Sequence, residues 1–557
     1  MITPCDQKAD TRHILVHSDH SRAIDREAAD WGLVSHALVE AAGRLCARYF
    51  IRQFPRFARA AGKGGDSAPV CVLAGSGNNA ADALVMLRTL VLEGQIQVSA
   101  AHVFCTRMPP DDNRTPLRDA YRAVQKLGIS CSVWNSVSND VLARAGLIID
   151  GIAGTGIQGP LAGTAAEMAE AVNKLRQAGK NPCIVSIDVP SGNFDGWKPG
   201  MIQLRADVTL AIEPEKLCLY TPASRPYAGQ IISVGNLFPY ALTEKYADAV
   251  LLNWKDSSAM IPPVEPDAYK YRRGVAEIWA GSPGASGAAL LAARGAQASG
   301  AGIVRLIVDQ PLLPLLAPGA GGIMVTAGPK DPDDGRFKPD AILAGPGWGR
   351  GQDRGALLQR FRELEGQGIP LILDADAITL ARDIVFSGNT LITPHPAEFA
   401  AYTGSPIEDI LADPIPILKK FSVEKNVHIL LKGHVLYIAS PPVYTGQRPN
   451  SAVQSPFPVA VIDGMNPVLA CAGSGDVLAG FCAGLAGRMH AEKCLNLFSC
   501  AAAAASLLME AGRSAAVANR FIDPLELAGA AADIAGAAWL NAEIRTETAD
   551  SGKHHER

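Results

Sequence analysis

Short apolar runs of strand length recur along this chain, and several end in a glycine or an acid that opens a helical pattern. Pro69-Val-Cys-Val-Leu-Ala74 leads into Gly75-Ser-Gly-Asn-Asn-Ala-Ala-Asp82 and then into Ala83-Leu-Val-Met-Leu-Arg-Thr-Leu90. Leu147-Ile-Ile-Asp-Gly151 and Cys183-Ile-Val-Ser-Ile-Asp188 repeat the pattern, each with an acid near its end. Beyond residue 268 it resumes with Gly274-Val-Ala-Glu-Ile-Trp-Ala-Gly281, Ile303-Val-Arg-Leu-Ile-Val308, Ala341-Ile-Leu-Ala344, Pro370-Leu-Ile-Leu373, Leu391-Ile-Thr393 and His428-Ile-Leu-Leu431. Runs apolar on both faces suit buried parallel strands, and alternation with helices predicts an α/β fold. In such sheets ligands sit beyond the carboxyl ends of the strands, so the polar loops at those ends should converge on a crevice.

At 557 residues the chain exceeds what one core accommodates, and at least two domains are expected. Pro and Ser punctuate residues 241–268, notably in Ile261-Pro-Pro-Val-Glu-Pro266, which predicts a linker between domains 1–240 and 269–545, with a polar tail at 546–557. Net charge is −4 with no long basic run, which leaves no electrostatic footprint for nucleic acid. The 11 cysteines form no C-x-x-C pair, as expected of small core residues in a reducing compartment. No apolar run reaches membrane-spanning length and the first residues lack a basic-then-apolar signal, so the expectation is a cytoplasmic protein without membrane contact, with homo-oligomerisation open.

The stretch richest in chemistry is Asn466-Pro-Val-Leu-Ala-Cys-Ala-Gly-Ser-Gly-Asp-Val-Leu-Ala-Gly480. Gly473, Ser474 and Gly475 lead into Asp476 and an apolar helix, and a glycine turn feeding a helix leaves N–H groups free for an anion. Asp476 is then either a helix cap or a base that takes a proton from an accepting hydroxyl.

In the first half, Leu38-Val-Glu-Ala-Ala-Gly43 lies in a helical pattern over residues 22–50. It is followed by Gly75-Ser-Gly-Asn-Asn79, Asp150 with Gly154-Thr-Gly156, and Ser186-Ile-Asp-Val-Pro-Ser-Gly192. In that order the motifs resemble those of NAD(P)H-hydrate epimerases over nearly all of residues 20–240. The resemblance implies a Rossmann-like three-layer domain that binds hydrated NADH or NADPH and interconverts the two epimers. It implies that Asn78, Asn79, Ala80, Ala81 and Asp82, with Gly154, Thr155, Gly156, Ile157, Gln158, Gly159 and Pro160, line the nucleotide. It further implies a potassium ion (K+) held by Asn79, Asp150 and Ser191, and Asp188 at the hydrated nicotinamide as acid or base. Oxygen-only ligands suit a hard, weakly held cation. Where that family's loop reads Asn-Asn-Gly-Gly-Asp-Gly, this chain has Ala80, Ala81 and Ala83. Should any of these positions require a left-handed backbone, alanine costs about 1–2 kcal/mol there, and a weakened first half is expected.

The second half carries Asp374-Ala-Asp376, Thr393-Pro-His-Pro-Ala-Glu398, Leu431-Lys-Gly433 and Gly473-Ser-Gly-Asp476. As a set these resemble ribokinase-like ADP/ATP-dependent NAD(P)H-hydrate dehydratases over roughly residues 269–485. The resemblance implies that Ala288, Gly347, His395 and Asp476 contact the hydrated dinucleotide. Lys432, Gly433, His434, Val435, Leu436 and Gly475 would hold the adenylate of ADP or ATP, with Mg2+ on the donor phosphates and Asp476 as catalytic base. The chain departs from that family's patterns at Arg272-Arg-Gly274 and at Ala505-Ser-Leu-Leu-Met-Glu510. The expected activity is repair of hydrated NAD(P)H by epimerisation and nucleotide-dependent dehydration. The alternatives are a small-molecule kinase of the same fold, or an active second half joined to a non-catalytic binding domain.

Overall fold

The computed structural model describes residues 13–55, 68–109, 115–327, 338–349, 354–442, 459–518 and 520–540. The polar tail and the first residues of the chain lie outside them. The chain divides into two compact units, His13–Val250 with Leu411–Asp413, and Leu251–Ile410 with Pro414 onward.

The first unit begins with β1 (His13–Val16), α1 (Ser18–Ala28) and α2 (Ser35–Gln53). The helical pattern over residues 22–50 is thus two helices, because Gly32 adopts φ +80° and ends the intervening turn. Next come β2 (Val70–Ala74), α3 (Asn78–Leu92), β3 (Ala101–Cys105), α4 (Pro116–Lys126), β4 (Ser130–Val133) and β5 (Leu147–Gly151). They are followed by α5 (Gly163–Gln177), β6 (Cys183–Ile187), β7 (Val208–Ile212), β8 (Glu215–Lys216) and β9 (Gln230–Val234). Seven strands form one parallel sheet in the order β4-β3-β2-β5-β6-β7-β9, and β8 pairs with β1. The pleat decides which layer each residue joins. Val70, Val72 and Ala74 of β2 pack with α2, α3 and α4, while Cys71 and Leu73 point to the face that carries Met168, Ala169 and Val172 of α5. This is the expected Rossmann-like three-layer arrangement.

Residues 241–268 hold the rest of a helix over Tyr240–Lys245, β10 (Ala249–Leu251) and a helix over Trp254–Ser258, all ahead of the prolines.

The second unit orders β11 (Val275–Trp279), β12 (Ile303–Val308), β13 (Met324–Ala327), β14 (Ala341–Ala344), β15 (Leu371–Leu373), β16 (Thr390–Ile392), β17 (His428–Leu431), β18 (Val435–Ala439) and β19 (Val459–Asp463) as β13-β12-β11-β14-β15-β16-β17-β18-β19. Pairing is parallel as far as β17 and antiparallel through β18 and β19, giving the ribokinase-like α/β sheet. Its helices include α6 (Ser286–Ala298), α7 (Pro396–Thr403), α8 (Ser474–Ala491), α9 (Leu497–Val517) and α10 (Pro524–Trp539). No described helix is long and apolar enough to cross a membrane.

Helix α8 delivers Asp476, and its depth is set by contact with α6. A Cβ at Gly480 would collide with the Ala292 carbonyl and lie 2.9 Å from the Ala296 nitrogen. Gly480→Ala should therefore overpack this crossing and cost about 1–3 kcal/mol, read as a lowered denaturant midpoint for the second unit. An unchanged midpoint would mean that the crossing relaxes freely.

Helix α3 starts at Asn78, earlier than the glycine-rich motif suggested. Ala80, Ala81 and Ala83 are right-handed helical residues with 0% exposure, and none has positive φ. The expected left-handed penalty is absent. Ala83 fills space left by Gly151, whose Cβ would come 2.7 Å from the Ala83 methyl. In a helix alanine is favoured over glycine by about 1 kcal/mol per residue. Ala80→Gly/Ala81→Gly/Ala83→Gly should lower the melting temperature of the first unit, whereas a rise would restore the argument for glycine.

Candidate functional site

In the first unit a cavity of about 450 Å³ opens at the carboxyl ends of the central strands. Asn78, Asn79 and Asp82 from α3, Gly154, Thr155, Gly156 and Ile157 after β5, Asp188 after β6, and Lys216 line it, with Asp25 contributed by α1. Gln158, Gly159 and Pro160 instead line an adjoining recess of about 500 Å³ with Thr106 and Arg107, and Ile157 borders both. Ala80 and Ala81 turn into the core and face neither.

Asp188 sits just beyond β6 with φ +63°, an uncommon backbone for a residue with a side chain. Its Oδ1 accepts from Lys216 Nζ at 2.7 Å and from the Ile212 N–H at 3.3 Å. Lys216 is only 4% exposed and also donates to the Ile212 carbonyl at 2.9 Å. Asp82 is buried behind this pair. Burial pushes its carboxyl well above the ordinary value, and the charges of Asp188 and Asp25 push it further. Asp25 is raised too, first by desolvation within the cavity walls; Lys216 opposes that shift and Asp188 adds to it.

Beside these, Asp150 of β5 accepts from Ser186 Oγ at 2.8 Å, the Ser191 N–H at 2.9 Å and Ser191 Oγ at 2.5 Å. Ser191 Oγ in turn accepts from the Ala153 N–H at 2.9 Å. The Asn79 amide has buried oxygen and nitrogen atoms with no hydrogen-bond partner, and a Cβ at Gly154 would lie 3.2 Å from its carbonyl carbon. Among the described residues no cluster of three or more His, Cys, Asp or Glu could hold a metal ion. A cation here would rest on amide, hydroxyl and backbone oxygens with one carboxylate.

The second unit assembles its chemistry around Asp374, at the end of β15. Its Oδ1 accepts from Lys432 Nζ at 2.6 Å and from Thr393 Oγ1 at 2.7 Å. Burial alone would lower the Lys432 ammonium, but Asp374 outweighs it, with Glu398 and Asp476 adding, so the group is raised and stays charged. The turn after Asp374 is strained, with Ala375 at φ +47°, and it aims Asp376 so that its Oδ2 accepts the Gly349 N–H at 2.8 Å.

Asp476 lies in the first turn of α8, not at the cap, which is Gly473 at φ +98°. With the side chain free of capping duty, the base reading gains over the bland one. Burial, then the nearby Asp374 charge, raises its carboxyl to about 6, with Lys432 opposing. A Cβ at Gly475 would lie 3.5 Å from Lys432 Nζ, so the start of α8 faces the ammonium. Gly347 and Ala288 adjoin each other, 3.0 Å apart for an added Cβ. His395 caps α7, its Nδ1 accepting from the N–H groups of Ala397 and Glu398, while Glu398 accepts the His395 N–H at 2.8 Å. The ring is half exposed and its Nε2 faces Glu398 at 3.5 Å. Of the residues expected to hold adenylate, Lys432, Gly433 and His434 form a turn, whereas Val435 and Leu436 enter buried β18.

Sequence reasoning missed Asp25 and Lys216. Neither stands in a glycine-rich motif; the Lys216–Asp188 ion pair and the place of Asp25 in the cavity lining reveal them. Asp374 was visible as part of a motif, but its bond to Lys432 was not.

Comparison with known proteins follows the same division of the chain. A family model described as YjeF-related protein N-terminus matches residues 35–218, and one described as NAD(P)H-hydrate dehydratase matches residues 276–531. The bifunctional NAD(P)H-hydrate repair enzyme of Salinibacter ruber is 30% identical over 507 residues, covering 83% of this chain and 86% of that one. Its counterpart in Thermanaerovibrio acidaminovorans is 28% identical over 493 residues, covering 85% and 89%. Among solved structures, the ADP/ATP-dependent NAD(P)H-hydrate dehydratase of Bacillus subtilis, co-crystallised with ATP and Mg2+, is 25% identical with a TM-score of 0.43. It covers 52% of this chain and 97% of its own. With both halves matched in order, and a relative of that identity spanned almost end to end, the chain belongs to the family of bifunctional NAD(P)H-hydrate repair enzymes.

Proposed function

We propose that the chain repairs hydrated NADH and NADPH in two steps. The first unit interconverts the R and S hydrates, and the second dehydrates the S hydrate using ADP or ATP. The observation that carries the second step is Asp476 in the first turn of α8, facing the Lys432–Asp374 pair with its carboxyl near 6. A carboxylate raised toward neutrality is a stronger base than an ordinary one and is still ionised at pH 7. Asp476 takes the proton of the ring hydroxyl as that oxygen attacks the terminal phosphoryl group. The N–H groups at the start of α8 and the Lys432 ammonium stabilise the charge on that group. The phosphate ester then expels phosphate, and loss of a proton from the neighbouring ring carbon restores the double bond. Ala288, Gly347 and His395 bind the dinucleotide, and Lys432, Gly433 and His434 with Gly475 bind the adenylate.

Mg2+, when bound, neutralises the donor phosphates. The carboxylates of Asp374 and Asp476, close enough for the charge of one to raise the other, would supply the few protein oxygens such an ion takes beside phosphates and water. In the first unit K+ fits Asn79, Asp150 and Ser191, since the orphaned Asn79 amide oxygen offers a neutral donor beside an oxygen-rich loop. There Asn78, Asn79 and Asp82, with Gly154 to Pro160, hold the nucleotide, and Asp188 reaches the hydrated ring. The rival reading as a kinase of a vitamin precursor is not favoured, because it leaves the matched first half without a task.

Asp476→Asn should retain fold and nucleotide binding while dehydration of the S hydrate falls by about 10²–10⁴-fold. Turnover within a few-fold of the parent would remove Asp476 from the chemistry. The kcat/KM profile of the parent should lose activity below a limb at about 6, where Asp476 becomes protonated. Asp374→Asn removes a charge that raises Asp476, so its residual activity should show that limb at lower pH; a fixed limb would assign it to another group.

A further inference from the structure

The first cavity contains more proton-carrying side chains than the reading above employs. Asp188 stands at one wall, bonded to the buried Lys216 ammonium. Asp25 projects from α1 into the same cavity and remains accessible to solvent. Asp82 lines the floor at 7% exposure, and its buried Oδ1 has no hydrogen-bond partner. Arg22, the other charged residue on the α1 side, has its guanidinium occupied by Asp19 and the Thr155 carbonyl. The nearby thiols of Cys46 and Cys218 are pushed well up by burial and stay neutral. The groups free to move a proton are therefore carboxyls, arranged around one fixed cation.

We propose that Asp25 is a second catalytic residue of the epimerase, working with Asp188 across the hydrated ring, and that Lys216 is the positioning residue that holds Asp188 toward it. The proposal rests on the reading of the first unit as an epimerase. The hydrates differ at the carbon that bears the added hydroxyl, and that carbon is bonded to the ring nitrogen. One carboxyl, in its acid form, protonates the hydroxyl, the C–O bond breaks, and water leaves as the nitrogen lone pair forms the C=N bond of a ring cation. Water then adds to the opposite face, the C=N pair returns to nitrogen, and the other carboxyl, as carboxylate, takes the released proton. Atoms and charge balance, and no oxidant or reductant enters. The roles reverse for the other epimer, so the pair works with one proton between its two carboxyls.

The charges nearby act directly on Asp25. Desolvation raises Asp25 and the Asp188 charge raises it further, while Lys216 restrains the rise. Burial likewise pushes the Asp82 carboxyl well above its ordinary value, and the charges of Asp188 and Asp25 add to the shift. The backbone of Asp188 is held in an uncommon conformation by its bonds to Lys216 and the Ile212 N–H, which fixes the direction of one carboxyl while α1 presents the other.

The test uses the full chain with nucleotide omitted, so that dehydration is idle, and follows conversion of the R to the S hydrate above the spontaneous rate. Asp25→Asn should lower kcat by about 10²-fold or more with little change in KM, and should abolish one limb of the pH profile. Lys216→Met should move the alkaline limb to higher pH, because the cation that opposes protonation of Asp25 is gone. Lys216→Arg should return the limb toward its place, which a merely structural role for the lysine does not predict. In ¹⁸O-labelled water the parent should place label in the hydroxyl of the newly formed epimer. Retention of the original oxygen, or near-parental turnover in Asp25→Asn, would overturn the proposal while leaving the epimerase intact. A parent chain that gives no acceleration would instead overturn the epimerase reading, and this inference with it.

Discussion

A lysine ammonium bonded to an aspartate beyond a strand end stands at the centre of the candidate site in each unit. In the first unit it is Lys216 on Asp188 at 2.7 Å, and in the second Lys432 on Asp374 at 2.6 Å. Burying either charge alone would be costly, and burying both as a bonded pair makes the arrangement tolerable without making it a large source of stability. Its value lies in the field it creates. A fixed cation allows further carboxyls to gather at distances where they would otherwise repel, and those carboxyls are the groups proposed to move protons. Asp476 in one unit and Asp25 in the other are both raised from their ordinary values under opposing influence from the local lysine.

The folds explain why the pairs stand where they do. Parallel strands end together, so residues distant in sequence meet at one edge of the sheet: Asp150 lies in register with Ser186, and the turn after β15 meets the one after β16 through Asp374 and Thr393. Helices then complete each site from the facing side. Helix α8 can bring Asp476 down to Lys432 because Gly480 lets it approach α6 so closely. Helix α1 supplies Asp25 in the first unit. The scaffold is largely apolar and closely packed, and most of the polar groups of the two sites lie at strand ends and in the loops and helical turns that follow them.

Much of this was legible from the residues alone. The apolar runs announced the parallel sheets, and the acids at their ends marked where a ligand would sit. The motif around Asp476 marked a candidate base, and the matched families give the chain a substrate class. What was not legible has physical causes. Gly32 divides a pattern that reads as one helix, because periodicity does not reveal a left-handed residue. The alanines of α3 seemed out of place only on the assumption of an extended loop; once the helix begins at Asn78, they are good helix formers in a tight core. Asp25 and Lys216 lie far apart in sequence and in no motif. Only three-dimensional proximity gives them meaning.

The central claim is that two crevices act in succession on one hydrated dinucleotide. An equal mixture of R and S hydrates, supplied with the full chain and ADP or ATP, tests it through the return of reduced-nicotinamide absorbance. The account predicts complete conversion, with the R half consumed faster than spontaneous epimerisation allows, and no return of absorbance when nucleotide is withheld. Conversion that halts once the S half is spent, and then creeps on at the spontaneous rate, would contradict it.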